Sequence, residues 1–317
     1  MIEKKAEGAQ ASWQARMPRV APLLVIVAGV CWGLIGLFSN GLAAHGINPI
    51  QITFIRNVLS AAILGCIVLI ANRALFKIKL KDIWMFLGTG IVSIAFFNIC
   101  YFACIQECNL SIAAILLYTA PCFVVVLSAI LFKERLNARK IIALVLAFVG
   151  CLFVVGLVGG TMHLSFVGVL LGLGSGIGYA LYSIFARVAL ARYAPWTVMF
   201  YTFLFAALVL AAFADPGALV MQARSQPSVA LTMVALACIS TLLPFACYTV
   251  GLMHMETGKA SIMAFIEPLV ATIIGVVVFH DNLTVLHVVG MILIIVAVAL
   301  LNVKTDDDKS PEATSAH

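Results

Sequence analysis

Apolar runs follow one another almost without pause from Pro22 to Val303, and they decide what this chain can fold into. Each is longer than a buried strand needs and about as long as a helix that crosses a bilayer, which takes roughly 20 apolar residues. Across the whole sequence 64% of residues are hydrophobic and 10% are charged, whereas soluble domains carry about 45–50% and about 25%. So few charges cannot coat a water-soluble globule of this size. A transmembrane β-barrel is excluded as well, because barrel strands alternate polar and apolar residues over ~10 positions and these runs are continuous. The expected fold is therefore an all-α polytopic membrane protein with ten transmembrane helices. They are expected near 22–43, 49–71, 84–104, 111–132, 139–157, 166–186, 196–213, 229–252, 260–279 and 285–303.

Basic residues orient these spans, because Lys and Arg are retained on the cytoplasmic side. The N-terminal tail carries Lys4, Lys5, Arg16 and Arg19. The connection after the second span has Arg73, Lys77, Lys79 and Lys81, and that after the fourth has Lys133, Arg135, Arg139 and Lys140. Arg187, Arg192, Lys259, Lys304 and Lys309 fall on the same side; Arg224 falls opposite, and Arg56 lies inside a span. Both termini are thus expected in the cytoplasm of a cell whose inner membrane holds the protein. Residues 1–20 and 304–317 are read as cytoplasmic tails, solvated and disordered, the second with Asp306, Asp307 and Asp308. The net charge of +6 is explained by this sidedness, so no nucleic-acid partner is expected. The nine cysteines lie mostly in apolar spans, contain no CxxC pair and read as small packing residues. Cys100, Cys104 and Cys108 share a helical face, but no His or acid cluster accompanies them, and neither a metal nor a cofactor is expected.

The two halves repeat. A shift of 147 residues pairs Gly29 with Gly176, Tyr101 with Tyr248, Pro121 with Pro268, Phe132 with Phe279 and Leu136 with Leu283. Repeat one is placed at 21–157 and repeat two at 165–303. Five helices is an odd number, so the second repeat must enter the membrane inverted relative to the first, a common construction of secondary transporters.

Several segments carry a family likeness: Leu117-Tyr118-Thr119-Ala120-Pro121 through Phe132-Lys133-Glu134-Arg135-Leu136-Asn137, and Phe265-Ile266-Glu267-Pro268 through Phe279-His280-Asp281-Asn282-Leu283-Thr284. With Trp32-Gly33 and Phe54-Ile55-Arg56, they make residues 20–303 resemble the EamA-type members of the drug/metabolite transporter superfamily. His280-Asp281-Asn282 departs from the Gly-Glu-Arg type of turn more usual there. The resemblance implies a carrier that exports amino acids, other metabolites or drugs, without choosing among them.

Glu267 is the sharpest candidate for chemistry. It sits about seven residues into the ninth span, near ~10 Å from the cytoplasmic end, where an ionised carboxylate must be paired, hydrated or protonated. It reads as a proton-coupling site, as a counter-charge for a substrate amine, or as a hydrogen-bonded carboxyl locking helices together. Arg56 either snorkels to the external surface or holds a substrate carboxylate. Pro121 and Pro268 remove the helical partners of the Leu117 and Ala264 carbonyls and are the candidate hinges. Trp32, Asn98, Tyr101, Tyr118, Thr119, Tyr179, Tyr182, Ser183 and Tyr248 are candidates for a substrate-binding cavity, since buried Tyr and Trp seek partners for their polar tips. Gly29-x-x-x-Gly33 and Gly172-x-x-x-Gly176 are patterns for close helix packing. An intramembrane enzyme needs a nucleophile–base pair or a metal dyad, and no such set is seen. The expected partners are a small-molecule substrate, the lipid bilayer and protons; the sequence specifies no oligomeric state.

Overall fold

The computed structural model describes residues 2–156 and 165–303, with side chains from residue 16 onward. The 157–164 connection, with His163, and the expected 304–317 tail lie outside the described residues. No strand occurs among the described residues. Among the described residues nine helices are long and apolar enough to cross a membrane: α1 (Arg16–Ala43), α2 (Pro49–Ala71), α3 (Leu80–Glu107), α4 (Leu110–Phe132), α6 (Phe166–Leu190), α7 (Pro195–Ala214), α8 (Pro227–His254), α9 (Thr257–Val278) and α10 (Val285–Asn302). Between α4 and α6 runs α5 (Ala138–Val154), 17 residues long. A short helix, Pro216–Ser225, carries Arg224 in the connection from α7 to α8. The chain is a polytopic helical membrane protein. The N-terminal segment read as a disordered tail is instead helical from Ile2 and continuous with α1, which runs through Pro18 and Pro22.

The helices start where local chemistry satisfies their first amides. Asn48 and Gln51 form a reciprocal cap on α2, with Pro49 in the first turn. Asn109, Asn137 and Ser165 accept from the third residue onward in α4, α5 and α6, and Thr284 with His287 caps α10. Two helices break rather than bend at their prolines. Helix α4 loosens at Tyr118-Thr119 and α9 at Ala264-Phe265, two to four residues before Pro121 and Pro268. The Ala264 carbonyl, expected to lack a partner, accepts the Glu267 amide at 2.9 Å. Wider π-type turns occur at Gly88–Ala95 in α3 and Cys238–Leu242 in α8. Such turns often sit at functional sites. Ser93 and Ser240 are repeat equivalents within them, and both hydroxyls are buried without a partner among the described residues.

Packing follows the repeat. Helix α1 lies against α8, and α6 against α3; α2 pairs with α7 and α5 with α10; α1 reaches α9 as α6 reaches α4. Exchanging the two halves leaves this set of neighbours unchanged. Missing side chains allow the closest approaches. A Cβ on Gly33 would lie 2.8 Å from the Glu267 carbonyl oxygen, and one on Gly176 would lie 2.7 Å from that of Leu116. Thus α1 and α6 press backbone to backbone on the breaks of α9 and α4. In the α5–α10 pair a Cβ on Gly290 would lie 2.5 Å from the Gly150 carbonyl oxygen. Gly290→Ala is therefore expected to cost about 1–3 kcal/mol, the usual range for overpacking, whereas Gly36→Ala, with nothing within 4 Å of the added carbon, costs nothing. Thermal unfolding of both variants in detergent checks this contrast.

Candidate functional site

A cavity of about 420 Å³ opens between the two halves. Its mouth is framed by Ala43, Pro49, Ile105 and Leu110, which stand at the ends of α1 and α3 and the starts of α2 and α4. Its floor holds Glu267, Tyr179 and Phe245. Glu267 enters the cavity because the α9 break re-aims the first turn beyond it. It lies ten residues past Thr257, where α9 starts, about 15 Å along the helix. The carboxylate accepts hydrogen bonds from two phenols: Tyr118 Oη donates to Oε1 at 3.3 Å and Tyr179 Oη to Oε2 at 3.3 Å. These tyrosines come from α4 and α6, so one acid gathers three helices.

Arg56 faces this cavity from α2, one turn beyond Thr53. It and Glu267 line the same chamber. They form no ion pair among the described residues. Nor does the guanidinium donate to any described residue, so an aromatic-walled chamber holds one cation and one anion apart. Its walls include the rings of Trp32, Phe97, Tyr101 and Phe102, beside Ser39, Asn40, Thr53 and aliphatic side chains.

The structure divides the sequence candidates into three groups. Trp32, Tyr101, Tyr118, Tyr179, Arg56 and Glu267 line the cavity, as does Asn98. Asn98 is occupied, however, accepting from Thr53 Oγ1 at 3.3 Å and donating to the Ile94 carbonyl at 2.8 Å. Tyr182, Ser183 and Tyr248 stand behind Trp32 around a separate void of about 30 Å³. There Tyr182 bonds Thr249 at 2.7 Å and Ser183 bonds Tyr248 at 2.7 Å, so these hydroxyls lock α6 to α8. Thr119 faces neither space. Its hydroxyl donates to the Leu116 carbonyl at 2.5 Å and packs on Gly176, which closes the α4 break. Pro121 borders the small void, and Pro268 borders neither. The sequence reading missed Thr53, Ser39, Asn40, Phe97, Phe102 and Phe245; of these, Thr53 was signalled by its three-residue spacing from Arg56 on one helical face. No group of three His, Cys, Asp or Glu that could hold a metal occurs among the described residues, and Cys100, Cys104 and Cys108 are free thiols.

At the far end from the mouth, polar contacts close the bundle. Arg187 donates to the Leu252 carbonyl and to that of Met255 at 3.2 Å. Arg192 bonds Asp82 at 2.5 Å, and Tyr193 donates to the same carboxylate at 2.7 Å.

A model of the EamA-like transporter family matches residues 19–156 and again 166–303. The chain belongs to this family. The domain occurs twice, once in each half. Among curated relatives, an uncharacterized transporter of Archaeoglobus fulgidus is 26% identical over 290 residues, covering 90% of this chain and 97% of its own length. The uncharacterized transporter YvbV of Bacillus subtilis is 24% identical, covering 94% of this chain and 95% of its own length. The threonine/homoserine exporter RhtA of Escherichia coli is 30% identical over 207 residues, covering 65% of this chain and 67% of RhtA. A solved structure described only as "Crystal structure of protein" shares the fold, with a TM-score of 0.75 at 18% identity over 89% of this chain and 96% of its own. The protein is a membrane transporter of the EamA-like family.

The separation of lock from cavity has a measurable consequence. Tyr182→Phe leaves a buried Thr249 hydroxyl without its partner and is expected to lower stability by about 1–3 kcal/mol. Tyr101→Phe, whose hydroxyl bonds no described residue, leaves thermal stability unchanged. Unfolding curves of the two purified variants decide the point.

Proposed function

We propose that the protein exports amino acids or closely related small zwitterions across the inner membrane by alternating access. One observation carries the reading: Arg56, whose guanidinium donates to no described residue, shares with Glu267 a chamber also lined by Trp32, Phe97, Tyr101 and Phe102. A zwitterion brings a carboxylate for the guanidinium and an ammonium for the acid, while its side chain meets Trp32 and Tyr101. The RhtA similarity supports the same substrate class. Ten helices in two inverted five-helix repeats, with both termini in the cytoplasm, accord with the exchange-invariant packing and with the placement of Lys and Arg. On that orientation the cavity opens outward, and the breaks at Pro121 and Pro268 act as hinges.

Glu267 holds either a proton or an ammonium group, and the two compete for one carboxylate. Tyr118 and Tyr179 steady the ionised form when neither is bound. Such competition makes the carrier an antiporter that exchanges substrate for protons. Glu267→Gln removes the charge while keeping the shape. It is expected to raise the apparent KM roughly 10- to 100-fold, the worth of one charge-assisted contact, and to abolish any response to a pH gradient. Uptake of a labelled panel of aliphatic and aromatic amino acids into proteoliposomes, with and without that gradient, tests this. Saturable flux indifferent to both gradient and substitution would make the protein a facilitator and Glu267 a structural acid. Flux absent for every amino acid would overturn the substrate class.

A further inference from the structure

Helices α4 and α9 end in turns of the same shape. Lys133 and His280, repeat equivalents, both take left-handed backbone, with φ of 55° and 59°. The next amide folds back onto an equivalent carbonyl in each case: Glu134 N to Ser128 O at 3.4 Å, and Asp281 N to Gly275 O at 3.1 Å. Asn137 and Thr284 then cap α5 and α10 through the amides of Lys140 and His287. Glu134 and Asp281 therefore stand at matching points of matching turns.

Their side chains are in opposite circumstances. Glu134, 8% exposed, accepts the first two amides of α9, from Thr257 at 2.6 Å and Gly258 at 3.0 Å. Lys140 covers the contact, 3.7 Å from Glu134 and 2.8 Å from Glu256. Asp281 is exposed and bonds no described residue through its carboxylate. The repeat equivalents of Thr257 and Gly258 are Leu110 and Ser111, and Leu110 stands at the cavity mouth. Because the end of α4 meets the start of α9, the two helices run antiparallel, and Asp281 and Leu110 belong to the opposite, open end.

We propose that Glu134 and Asp281 are the two latches of one alternating gate. The Glu134 latch is engaged here and shuts the end away from the mouth. In the opposite conformation Asp281 accepts the Leu110 and Ser111 amides, the mouth closes, and Glu134 releases Thr257 and Gly258. A carboxylate on the amides of a helix start is favoured by charge and dipole together. A contact made in one state only shifts the populations by its full worth. The inference rests on the transport reading above but on no particular substrate.

Hydrogen exchange of the full-length chain in nanodiscs reads both latches directly and keeps every native cysteine. Glu134→Ala is expected to speed exchange at Thr257 and Gly258 and to slow it about tenfold at Leu110 and Ser111, as the population moves to the closed-mouth state. Adding Asp281→Ala should remove that protection, and Asp281→Asn, which keeps an acceptor, should retain part of it. Unchanged exchange at Leu110 and Ser111 in Glu134→Ala, or protection that survives Asp281→Ala, overturns the proposal. A second measurement uses a variant whose nine native cysteines are replaced, with cysteines introduced by Asp281→Cys and Leu110→Cys. Oxidation should join this pair as it joins Glu134→Cys with Thr257→Cys. Failure of the first pair where the second succeeds overturns the proposal. Neither measurement needs a substrate, so failure here and failure of the uptake assay are distinguishable.

Discussion

Hydrocarbon offers a peptide group nothing to bond, and the rest of the structure answers to that constraint. The described spans are helical but for short turns at Leu34, Tyr118-Thr119 and Ala264-Phe265, because a helix satisfies its own backbone. A break is tolerated only where protein covers it. The α9 break has the faces of Gly29 and Gly33 against it and its Ala264 carbonyl bonded by the Glu267 amide. The α4 break has Gly172 and Gly176 against it and the Thr119 hydroxyl turned back on Leu116. Glycines on α1 and α6 are thus what lets α9 and α4 come apart at mid-length, and the breaks in turn aim Glu267 and Tyr118 into one chamber.

That chamber places charge economically. An acid deep in an apolar bundle needs hydrogen-bond donors, and Tyr118 and Tyr179 supply them from two other helices. Arg56 shares the space without neutralising the acid by contact. A ligand with both signs of charge therefore finds each of them available. Nearby, Tyr182 pairs with Thr249 and Ser183 with Tyr248, which ties α6 to α8.

The same chemistry recurs at the two ends with different outcomes. The turns at Glu134 and Asp281 share backbone shape, yet only one acid holds amides. Similar turn sequences set similar local geometry; which latch is engaged depends on how the halves lean. The polar contacts of Arg187, Arg192, Tyr193 and Asp82 gather at the end where Glu134 is engaged, so closure there is distributed over several connections rather than resting on a single ion pair.

The sequence by itself determined the class of fold, most span boundaries and the repeat, because hydropathy, caps and prolines act locally. Asn48-Pro49 marks the start of α2 to the residue, and Pro121 with Pro268 marks the two breaks two to four residues ahead of them. Glu267 and Arg56 were legible because a charge inside an apolar run is conspicuous. Tertiary structure alone decided what these residues face. Thr119 and Tyr182 look as suited to a cavity as Tyr118 and Tyr179, since each is a polar tip on an apolar helix. The difference is a rotation about the helix axis, set by glycine contacts with helices far away in the chain. The joining of Arg56 and Glu267 in one chamber and the unequal fates of Glu134 and Asp281 have the same origin: they depend on distances between helices, and no local pattern encodes those.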